Sequence, residues 1–442
     1  MQWRLVLTTA AAAHTGRPAR RATLTPTRCL GPDRCRGPGA QAPARAIVNA
    51  ALRRTVTCSR LTHQRTGPCA SAFPGEIKNH EYRVGLTPAG VRELVAHHHE
   101  VLIETGAGVG SGIADSAYEQ AGARIATDAA TVFAGAELIV KVKEPQPAEC
   151  AMLRPGQVLF TYLHLAPDAV QARGLLAADC VAIAYETVTS PHGGLPLLTP
   201  MSEVAGRLSV HAGAHALEKA QGGAGILLGG VPGVAPAEVA VIGGGVVGYN
   251  AARIAVGMGA SVTILDTAPR RLNELDTLFD GRLKTVYATR EALEHSVCHA
   301  DLVIGAVLLP GAAAPKLVSR AMLGQMREGS VVVDVAIDQG GCFETSRATT
   351  HQYPTYLEEG IVHYCVANIP GAVARTSTLA LTNATLPYLL RLANQGYRQA
   401  LHADAHLRAG LNVHRGAITH PAVAQGLGLP YQPALAAIGE TG

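Results

Sequence analysis

From residue 76 onward, the chain alternates short apolar runs with longer segments of helical periodicity. Runs of strand length occur in AELIVKVKEP (136–145), GQVLFTYLHL (156–165), CVAIAYETV (180–188), EVAVIGGG (238–245), ASVTILD (260–266), ADLVIGAV (300–307) and GSVVVDVAID (329–338). Short runs of Val, Ile and Leu separated by helices are typical of parallel strands that are buried on both faces. The pattern therefore predicts an α/β fold with doubly wound parallel sheets.

The segment 238–266 has the order of elements found in a dinucleotide-binding βαβ unit. A strand predicted at 238–242 runs into the turn Gly243-Gly244-Gly245-Val246-Val247-Gly248, and the helix that follows closes near 257–259. In such a turn the first glycine permits the bend, the second lets the backbone approach a pyrophosphate, and the third lets the helix pack on the strand. The phosphates meet free N–H groups at the start of the helix. We assign Gly243, Gly245, Val247 and Gly248 to a cofactor site.

The second strand of this unit ends in an acid, Asp266, 18 residues after Gly248. An acid there accepts both ribose hydroxyls and repels a 2′-phosphate, so the sequence predicts NAD as the cofactor and disfavours NADP. Arg271, shortly after the strand, is assigned to the same site. An ordinary βαβ turn is the alternative, but it needs neither these glycines nor the acid.

Three other apolar runs are followed by reactive side chains. Lys143 follows LIVKV, His164 follows VLFTYL and Asp338 follows SVVVDVAI, which offers an amine, an imidazole and a carboxylate. One such residue is usually a cap or a turn former. In open parallel sheets, however, ligands bind beyond the carboxyl ends of the strands. We therefore expect these three side chains to contribute to a site, with Glu144 as a possible partner of Lys143.

The charge is unevenly distributed along the 442 residues. Residues 1–75 hold 12 Arg, no Lys and one acid, which leaves 25 basic and 32 acidic residues in the rest of the chain. Residues 1–72 lack sustained periodicity and are predicted to be a disordered basic extension. Three alternatives stay open for this extension, namely a transit peptide, a weak signal sequence, and translation from an upstream start or a shifted frame.

Composition excludes several classes of protein. The mildly acidic body gives no global basic field for nucleic acid. No apolar run approaches the roughly 20 residues of a membrane helix, so we expect neither a nucleic-acid partner nor a membrane partner. Five scattered cysteines in the body fit a reducing compartment, which predicts a cytoplasmic protein. No spacing of His or Cys favours a metal site over a structural role.

The chain from about residue 75 to 437 resembles the NAD-dependent alanine dehydrogenases. The resembling stretches are GEIKNHEYRVGLTPAGV, IVKVKEP, LFTYLHLA, IAYETV, LLTPMSEVAGRL, GGVPGVAPAEVAVIGGGVVGYNAARIA, DLVIGAVLLPGAAAPKLVS, AIDQGGCFE, VANIPGAVARTSTLALTNAT and PYLLRLA. The resemblance implies two Rossmann-like domains, with the NAD domain inserted into a discontinuous substrate domain. The implied boundaries are 73–196 and 375–442 for the substrate domain and 197–374 for the NAD domain. It also implies a homo-oligomer, usually a hexamer.

The same resemblance implies roles for six residues of this sequence. Arg83 would hold the substrate carboxylate through a two-pronged hydrogen bond. Lys143 would contact the carboxylate or polarise the 2-oxo group, and His164 would be the general acid/base. Asp338 would position water and ammonia. Ser202 would contact the cofactor, and Asn368 would line the nicotinamide pocket.

The implied reaction converts L-alanine, NAD and water into pyruvate, ammonium and NADH, and it is reversible. One alternative is the NAD-binding subunit of a transhydrogenase, although His164 argues against it. A dehydrogenase of another small amino acid is a second. The third is a non-catalytic NAD-binding protein, because the family's first strand is replaced here by CASAFP (69–74), in which only Phe73 is expected to be buried.

Overall fold

In the computed structural model, which describes residues 67–307 and 314–439, short strands and helices alternate along the chain. Numbered in chain order, the strands are β1 Ala70–Phe73, β2 Glu100–Glu104, β3 Arg124–Ala126, β4 Leu138–Val140, β5 Val158–Thr161, β6 Val181–Ala184, β7 Glu238–Ile242, β8 Ser261–Asp266, β9 Lys284–Tyr287, β10 Leu302–Gly305, β11 Val331–Asp334, β12 Thr355–Glu358, β13 Ile361–Tyr364, β14 Leu411–His414 and β15 Ala417–Ile418. Most strands are preceded or followed by a helix, as the apolar pattern predicts.

The α-helices vary from one turn to six turns in length. They are α1 Pro88–Ala96, α2 Asp115–Ala121, α3 Ala129–Gly135, α4 Pro147–Cys150, α5 Ala169–Ala177, α6 Thr199–Ala216, α7 Val246–Gly257, α8 Pro269–Phe279, α9 Arg290–Cys298, α10 Arg320–Leu323, α11 Ala374–Gln395, α12 Tyr397–Ala403, α13 Ala405–Arg408, α14 Pro421–Leu427 and α15 Ala434–Ile438. Short 3₁₀ turns occur at Val109–Ser111, Tyr185–Thr187, Lys219–Gln221, Ile337–Gln339 and Ile369–Val373.

The strands form two sheets. The first has the order β15-β14-β6-β5-β4-β1-β2-β3, and the second has the order β12-β13-β11-β10-β7-β8-β9. Pairs in the middle of both sheets are parallel, while β14 and β12 run antiparallel to their neighbours at the edges. Such antiparallel edges are common in doubly wound folds. The α/β prediction is confirmed, with the qualification that both sheets are mixed.

The chain leaves the first sheet after β6 and returns to it at β14. All strands of the second sheet lie between these two points in sequence. This is the connectivity of one Rossmann-like domain inserted into another. The implied boundaries at 196/197 and 374/375 fall just before α6 and at the start of α11, and they stay predictions. Residues 1–66, which make up most of the predicted extension, lie outside the described residues.

The first three residues of β1 belong to the segment 1–72, which was predicted to be a disordered extension. It pairs in parallel with β2 on one side and β4 on the other. Ser71, Ala72 and Phe73 expose none of their surface, so the expectation that only Phe73 is buried is wrong. Ala72 packs in the cluster that contains Phe133 of α3, and Phe73 packs in the cluster that contains Leu94 of α1. A strand with neighbours at both edges and helices on both faces buries small side chains as fully as large ones.

Candidate active site

The glycine-rich turn after β7 adopts the geometry that its sequence predicts. Gly243 has φ of +98°, a conformation that L side chains rarely adopt, and its N–H donates to the carbonyl of Leu265 at 2.8 Å. A Cβ on Gly248 would lie 1.8 Å from the carbonyl oxygen of Gly243, so only glycine allows α7 to approach the turn this closely. A Cβ on Gly245 would meet no described atom within 4 Å. The turn therefore has open space on the side of Gly245.

Asp266, at the end of β8, holds the same turn by hydrogen bonds. Its Oδ2 accepts from the N–H of Gly244 at 2.7 Å, and its Oδ1 accepts from the N–H of Ala268 at 2.8 Å. Arg271 contacts the turn from the other side, because its Nε donates to the carbonyl of Gly244 at 2.6 Å. Asp266 and Arg271 thus fix the peptide groups of the turn.

A cavity of about 640 Å³ opens beside the turn. Its lining includes five of the residues assigned to the cofactor from sequence, namely Ser202, Gly243, Gly245, Val247 and Asp266. The rest of the lining is largely apolar. It comes from residues 194–199, the ends of β7, β8 and β10, the start of α7, and Ala288, Leu293, Pro315 and Leu317. A large apolar cleft with an acid at its edge and backbone N–H groups at a helix start fits a dinucleotide.

Arg83 and Glu81 form a second cluster, in the segment that follows β1. Arg83 is 2% exposed, and its Nε and Nη2 donate to the two carboxylate oxygens of Glu81, each at 2.6 Å. Burial by itself would raise the pKa of Glu81, but the hydrogen bonds and charge of Arg83 outweigh burial and lower that pKa to about 2. The pair is therefore fully charged at neutral pH.

Asn368 contacts this pair and not the cavity beside the glycine-rich turn. Its Oδ1 accepts from Nη2 of Arg83 at 2.7 Å, and its Nδ2 donates to Glu81 at 2.9 Å. Asn368 has φ of +73°, a left-handed conformation that asparagine tolerates better than most residues. It follows β13 of the second sheet, whereas Arg83 follows β1 of the first. The structure thus places Asn368, predicted for the nicotinamide pocket, beside the predicted carboxylate-binding residue.

Lys143 lies three residues beyond β4, on a segment held by Glu76. The carboxylate of Glu76 accepts from the backbone N–H of Val142 at 2.6 Å and from that of Lys143 at 3.4 Å. The neighbouring Lys141 is fully buried in ion pairs with Glu76 at 3.0 Å and Glu149 at 2.7 Å. Nζ of Lys143, in contrast, has no hydrogen-bond partner among the described residues, so of the two lysines it is the one available to a ligand.

Charged groups that follow strands of both sheets affect the pKa of Lys143. Burial lowers the pKa of Lys143, while the negative charges of Asp338 and Glu144 counteract part of that shift. Asp338 follows a strand of the second sheet, and Lys143 follows a strand of the first. The hydrogen bond between Nη2 of Arg83, after β1, and Oδ1 of Asn368, after β13, shows that the segments beyond the carboxyl ends of both sheets meet at a common site.

His164 lies three residues beyond β5, in a strained backbone conformation. It has φ of +46°, and its N–H donates to Oε1 of Glu186 at 2.6 Å. Its ring lies parallel to that of Tyr162, with centroids 5.8 Å apart and an interplanar angle of 4°. Tyr162 is itself held by a hydrogen bond from its hydroxyl to the carbonyl of Leu197. The imidazole is exposed and is therefore free to exchange protons with a ligand.

The strand β11 ends at Asp334, four residues before Asp338. The strand therefore covers only the first part of the apolar run 329–338. The buried carboxylate of Asp334 accepts from the N–H of Ala336 at 3.1 Å and from the N–H of Cys342 at 2.9 Å, which folds the chain into a turn. Asp338 lies in the 3₁₀ turn Ile337–Gln339, exposed beyond the end of the strand. Its predicted position at the carboxyl edge of the sheet is unaffected.

Four residues of the site were not assigned from sequence, namely Glu81, Tyr162, Glu186 and Asp334. Three of them lie within motifs that carry the resemblance (NHEYRV, TYLHLA and IAYETV), but their roles depend on contacts that sequence spacing does not give. Of these four residues, Glu81 was the one that the sequence indicated most clearly. It precedes Arg83 by two residues, and in extended backbone such residues share a face.

Comparison with known proteins agrees with the two-sheet architecture. The family model described as "Alanine dehydrogenase/PNT, N-terminal domain" matches residues 72–205, and that described as "Alanine dehydrogenase/PNT, C-terminal domain" matches residues 209–421. Together they span well over half of the chain. The chain belongs to the alanine dehydrogenase/PNT family. The family predicted from sequence motifs is therefore confirmed.

Individual relatives agree with this membership. The chain is 62% identical over 368 residues to the alanine dehydrogenase of Halomonas elongata, covering 83% of this chain and 99% of that protein. It is 55% identical over 359 residues to the alanine dehydrogenase of Mycobacterium tuberculosis, covering 81% and 97%. Both alignments span nearly the whole length of the relative.

Solved structures of the family share the fold. An L-alanine dehydrogenase with 53% identity superposes with a TM-score of 0.79 and covers 81% of this chain and 99% of that one. A transhydrogenase from Sinorhizobium meliloti, with 26% identity, gives a TM-score of 0.70 and covers 79% and 100%. Among the described residues of this family member, no helix is both long and apolar enough to cross a membrane.

Proposed function

We propose that this chain is an alanine dehydrogenase that uses NAD to deaminate L-alanine oxidatively, and that it also catalyses the reverse reaction. The observation that carries the proposal is the 2.7 Å hydrogen bond that Nη2 of Arg83 donates to Oδ1 of Asn368. It joins the substrate-binding cations of one sheet to the sheet that carries the dinucleotide cavity. The names of relatives that are 62% and 55% identical support the same substrate.

The overall reaction is L-alanine, NAD⁺ and water giving pyruvate, ammonium, NADH and a proton. NAD, when bound, supplies the acceptor for the hydride that leaves the α-carbon. Ser202, Gly243, Gly245, Val247, Gly248 and Asp266 would hold it, since they line or shape the cavity. The preference for NAD over NADP rests on Asp266, whose charge disfavours a 2′-phosphate.

The chain's own groups bind the amino acid and move its protons. Arg83 and Lys143 hold the carboxylate, which fixes the α-carbon in one orientation. His164, exposed and aligned by Tyr162, takes the proton from the substrate ammonium and later returns one to the departing nitrogen. Asp338, exposed in the turn beyond β11, orients the water that attacks the α-carbon once the hydride has left.

The test is the appearance of NADH when the full-length chain is mixed with L-alanine and NAD. We expect turnover with alanine, with a lower rate for larger amino acids and for NADP. If NADH still binds but no amino acid is turned over, the chain is a non-catalytic dinucleotide-binding protein or a transhydrogenase subunit. If another small amino acid is preferred, the substrate assignment changes and the reaction class stands.

We also propose that the chain forms a homo-oligomer, a hexamer by its family. Leu227 and Val234 lie in a loop before β7 and are 65% and 63% exposed, which favours a partner surface there. Mass photometry of the full chain should give a particle of six copies. A Val234→Asp variant should dissociate it, and a monomer in the unchanged protein would contradict the proposal.

A further inference from the structure

The hydrogen bonds of Arg83 leave only one of its nitrogens available to a substrate. Nε and Nη2 donate to Glu81, and Nη2 also donates to Oδ1 of Asn368. Within residues 67–307 and 314–439, the one hydrogen-bond partner of Nη1 is the sulfur of Met201, at 3.1 Å. A thioether is a weak acceptor, and a carboxylate that replaced it would gain a charge-assisted hydrogen bond.

This arrangement differs from the bidentate hydrogen bond between Arg83 and the substrate carboxylate that the family resemblance implied. The edge of the guanidinium that carries Nε and Nη2 is already matched by a carboxylate, that of Glu81, with two bonds of 2.6 Å. A substrate carboxylate cannot use that edge while Glu81 is in place. The second donor for the substrate must come from another residue, and Nζ of Lys143 has no hydrogen-bond partner within the described residues.

The segment of Lys143 packs against that of Arg83, because a Cβ on Gly85 would lie 3.1 Å from the carbonyl oxygen of Val140, at the end of β4. We therefore take Lys143 as the second donor. The positive charge of Arg83 acts on Lys143 and adds to the effect of burial on its pKa. Two buried cations that repel each other are stabilised by an anion between them. Glu81 compensates Arg83 at the edge that carries Nε and Nη2, so Nη1 and the Nζ of Lys143 are the donors left for an added anion.

We propose that Glu81 is a positioning residue for substrate binding, which occupies one edge of Arg83 and presents Nη1 to the substrate carboxylate jointly with Nζ of Lys143. This inference rests on the proposed function and adds a residue to it. Asn368 supports the arrangement from the second sheet, because it bonds to both Glu81 and Arg83. The carboxylate is then bound by one nitrogen from each of two cations.

The experiment measures pyruvate binding by calorimetry to the full-length chain loaded with NADH, without ammonium, so that no turnover occurs. Glu81→Gln keeps the shape of the side chain but removes the charge and one of the two acceptors. We expect the Kd for pyruvate and the KM for alanine to rise at least about tenfold, with kcat changed much less. An unchanged or tighter Kd would overturn the proposal.

A double-mutant cycle separates positioning from a general structural effect. Arg83→Gln should weaken pyruvate binding by itself, and adding Glu81→Gln to it should cause no further loss, because Glu81 acts through Arg83. Additive losses would overturn the proposal. If Glu81→Gln does not fold, Glu81→Asp is used in its place, because it keeps the negative charge but moves it away from Arg83. The Kd of Glu81→Asp for pyruvate should still rise several-fold. An unchanged Kd in Glu81→Asp would count against the proposal.

Asp301 provides the matched control. It is a buried carboxylate that pairs with Arg327 at 3.0 Å, at the amino end of β10 and away from the carboxyl edges of the sheets. Asp301→Asn should leave the Kd for pyruvate unchanged. Alanine turnover by the unchanged chain is measured in parallel. Pyruvate binding without turnover would count against the proposed function alone, whereas absence of pyruvate binding would overturn the role of Glu81 as well.

Discussion

Nη2 of Arg83 donates a 2.7 Å hydrogen bond to Oδ1 of Asn368, although 285 residues separate the two along the chain. Arg83 follows β1 in the first sheet, and Asn368 follows β13 in the second. The segments that follow these two strands therefore meet at this bond. The bond places a residue of the inserted domain directly on the group proposed to bind the substrate carboxylate.

Replacing His164 by alanine should nearly abolish turnover, because the exposed imidazole is the proposed proton carrier. NADH binding should stay within a few-fold of the unchanged chain, since His164 does not line the cavity beside the glycine-rich turn. Steady-state rates with alanine and fluorescence titration with NADH measure the two effects. His295→Ala, an exposed histidine on α9, is the control. Retention of full turnover in His164→Ala would remove the acid/base assignment.

Replacing Asp266 by alanine should weaken NAD binding and reduce the preference against NADP. The carboxylate both anchors the N–H of Gly244 and supplies the charge that repels a 2′-phosphate. The ratio of kcat/KM for NAD to that for NADP is the quantity to measure. Asp276→Ala, on the exposed surface of α8, should leave this ratio unchanged. An unaltered cofactor preference in Asp266→Ala would place the ribose elsewhere.

Replacing Gly248 by alanine should damage the cofactor turn and the fold together. The added Cβ would lie 1.8 Å from the carbonyl oxygen of Gly243, so α7 must move away from the turn. We expect a loss of about 1–3 kcal/mol in the free energy of unfolding in urea, and NADH binding weakened at least about tenfold. Gly257→Ala is the control in the same helix, where a Cβ meets no described atom within 4 Å. Equal losses of unfolding free energy and of NADH affinity in the two variants would contradict the packing argument.

Glu81 should make the fold sensitive to acid. Its pKa is lowered from 4.5 to about 2 in the folded chain, so the folded state binds the proton less tightly than the unfolded state. The resulting stabilisation is present above pH 4.5 and is lost as the pH falls toward 2. Between about pH 5 and pH 3, this amounts to roughly 2 kcal/mol.

Urea unfolding of the unchanged chain and of Glu81→Gln at several pH values measures this contribution. The difference in unfolding free energy between them should shrink as the pH falls, because the variant has no carboxylate to protonate at this position. A difference that stays constant from pH 5 to pH 3 would show that folding does not lower the pKa of Glu81.

Much of the cofactor site could be predicted from local sequence. The strand 238–242, the glycine turn and the strand ending at Asp266 occur where the sequence placed them, because each depends on short-range chemistry. An apolar run fixes a buried strand, and a glycine fixes a positive φ or a close approach. The burial of the first strand was predicted wrongly, because it depends on long-range contacts. The burial of Ser71 and Ala72 comes from neighbours more than twenty residues away in sequence.

The sequence by itself determined the α/β class, the dinucleotide unit and the reactive residues beyond the strand ends, because periodicity and turn chemistry act within a few residues. Only the tertiary structure decided which groups meet. It joined Asn368 to Arg83, fixed the segment of Lys143 on Glu76, and filled one edge of Arg83 with Glu81. Contacts between residues far apart in sequence decide which hydrogen-bond donors remain for a substrate. The spacing of residues along the sequence does not determine those contacts.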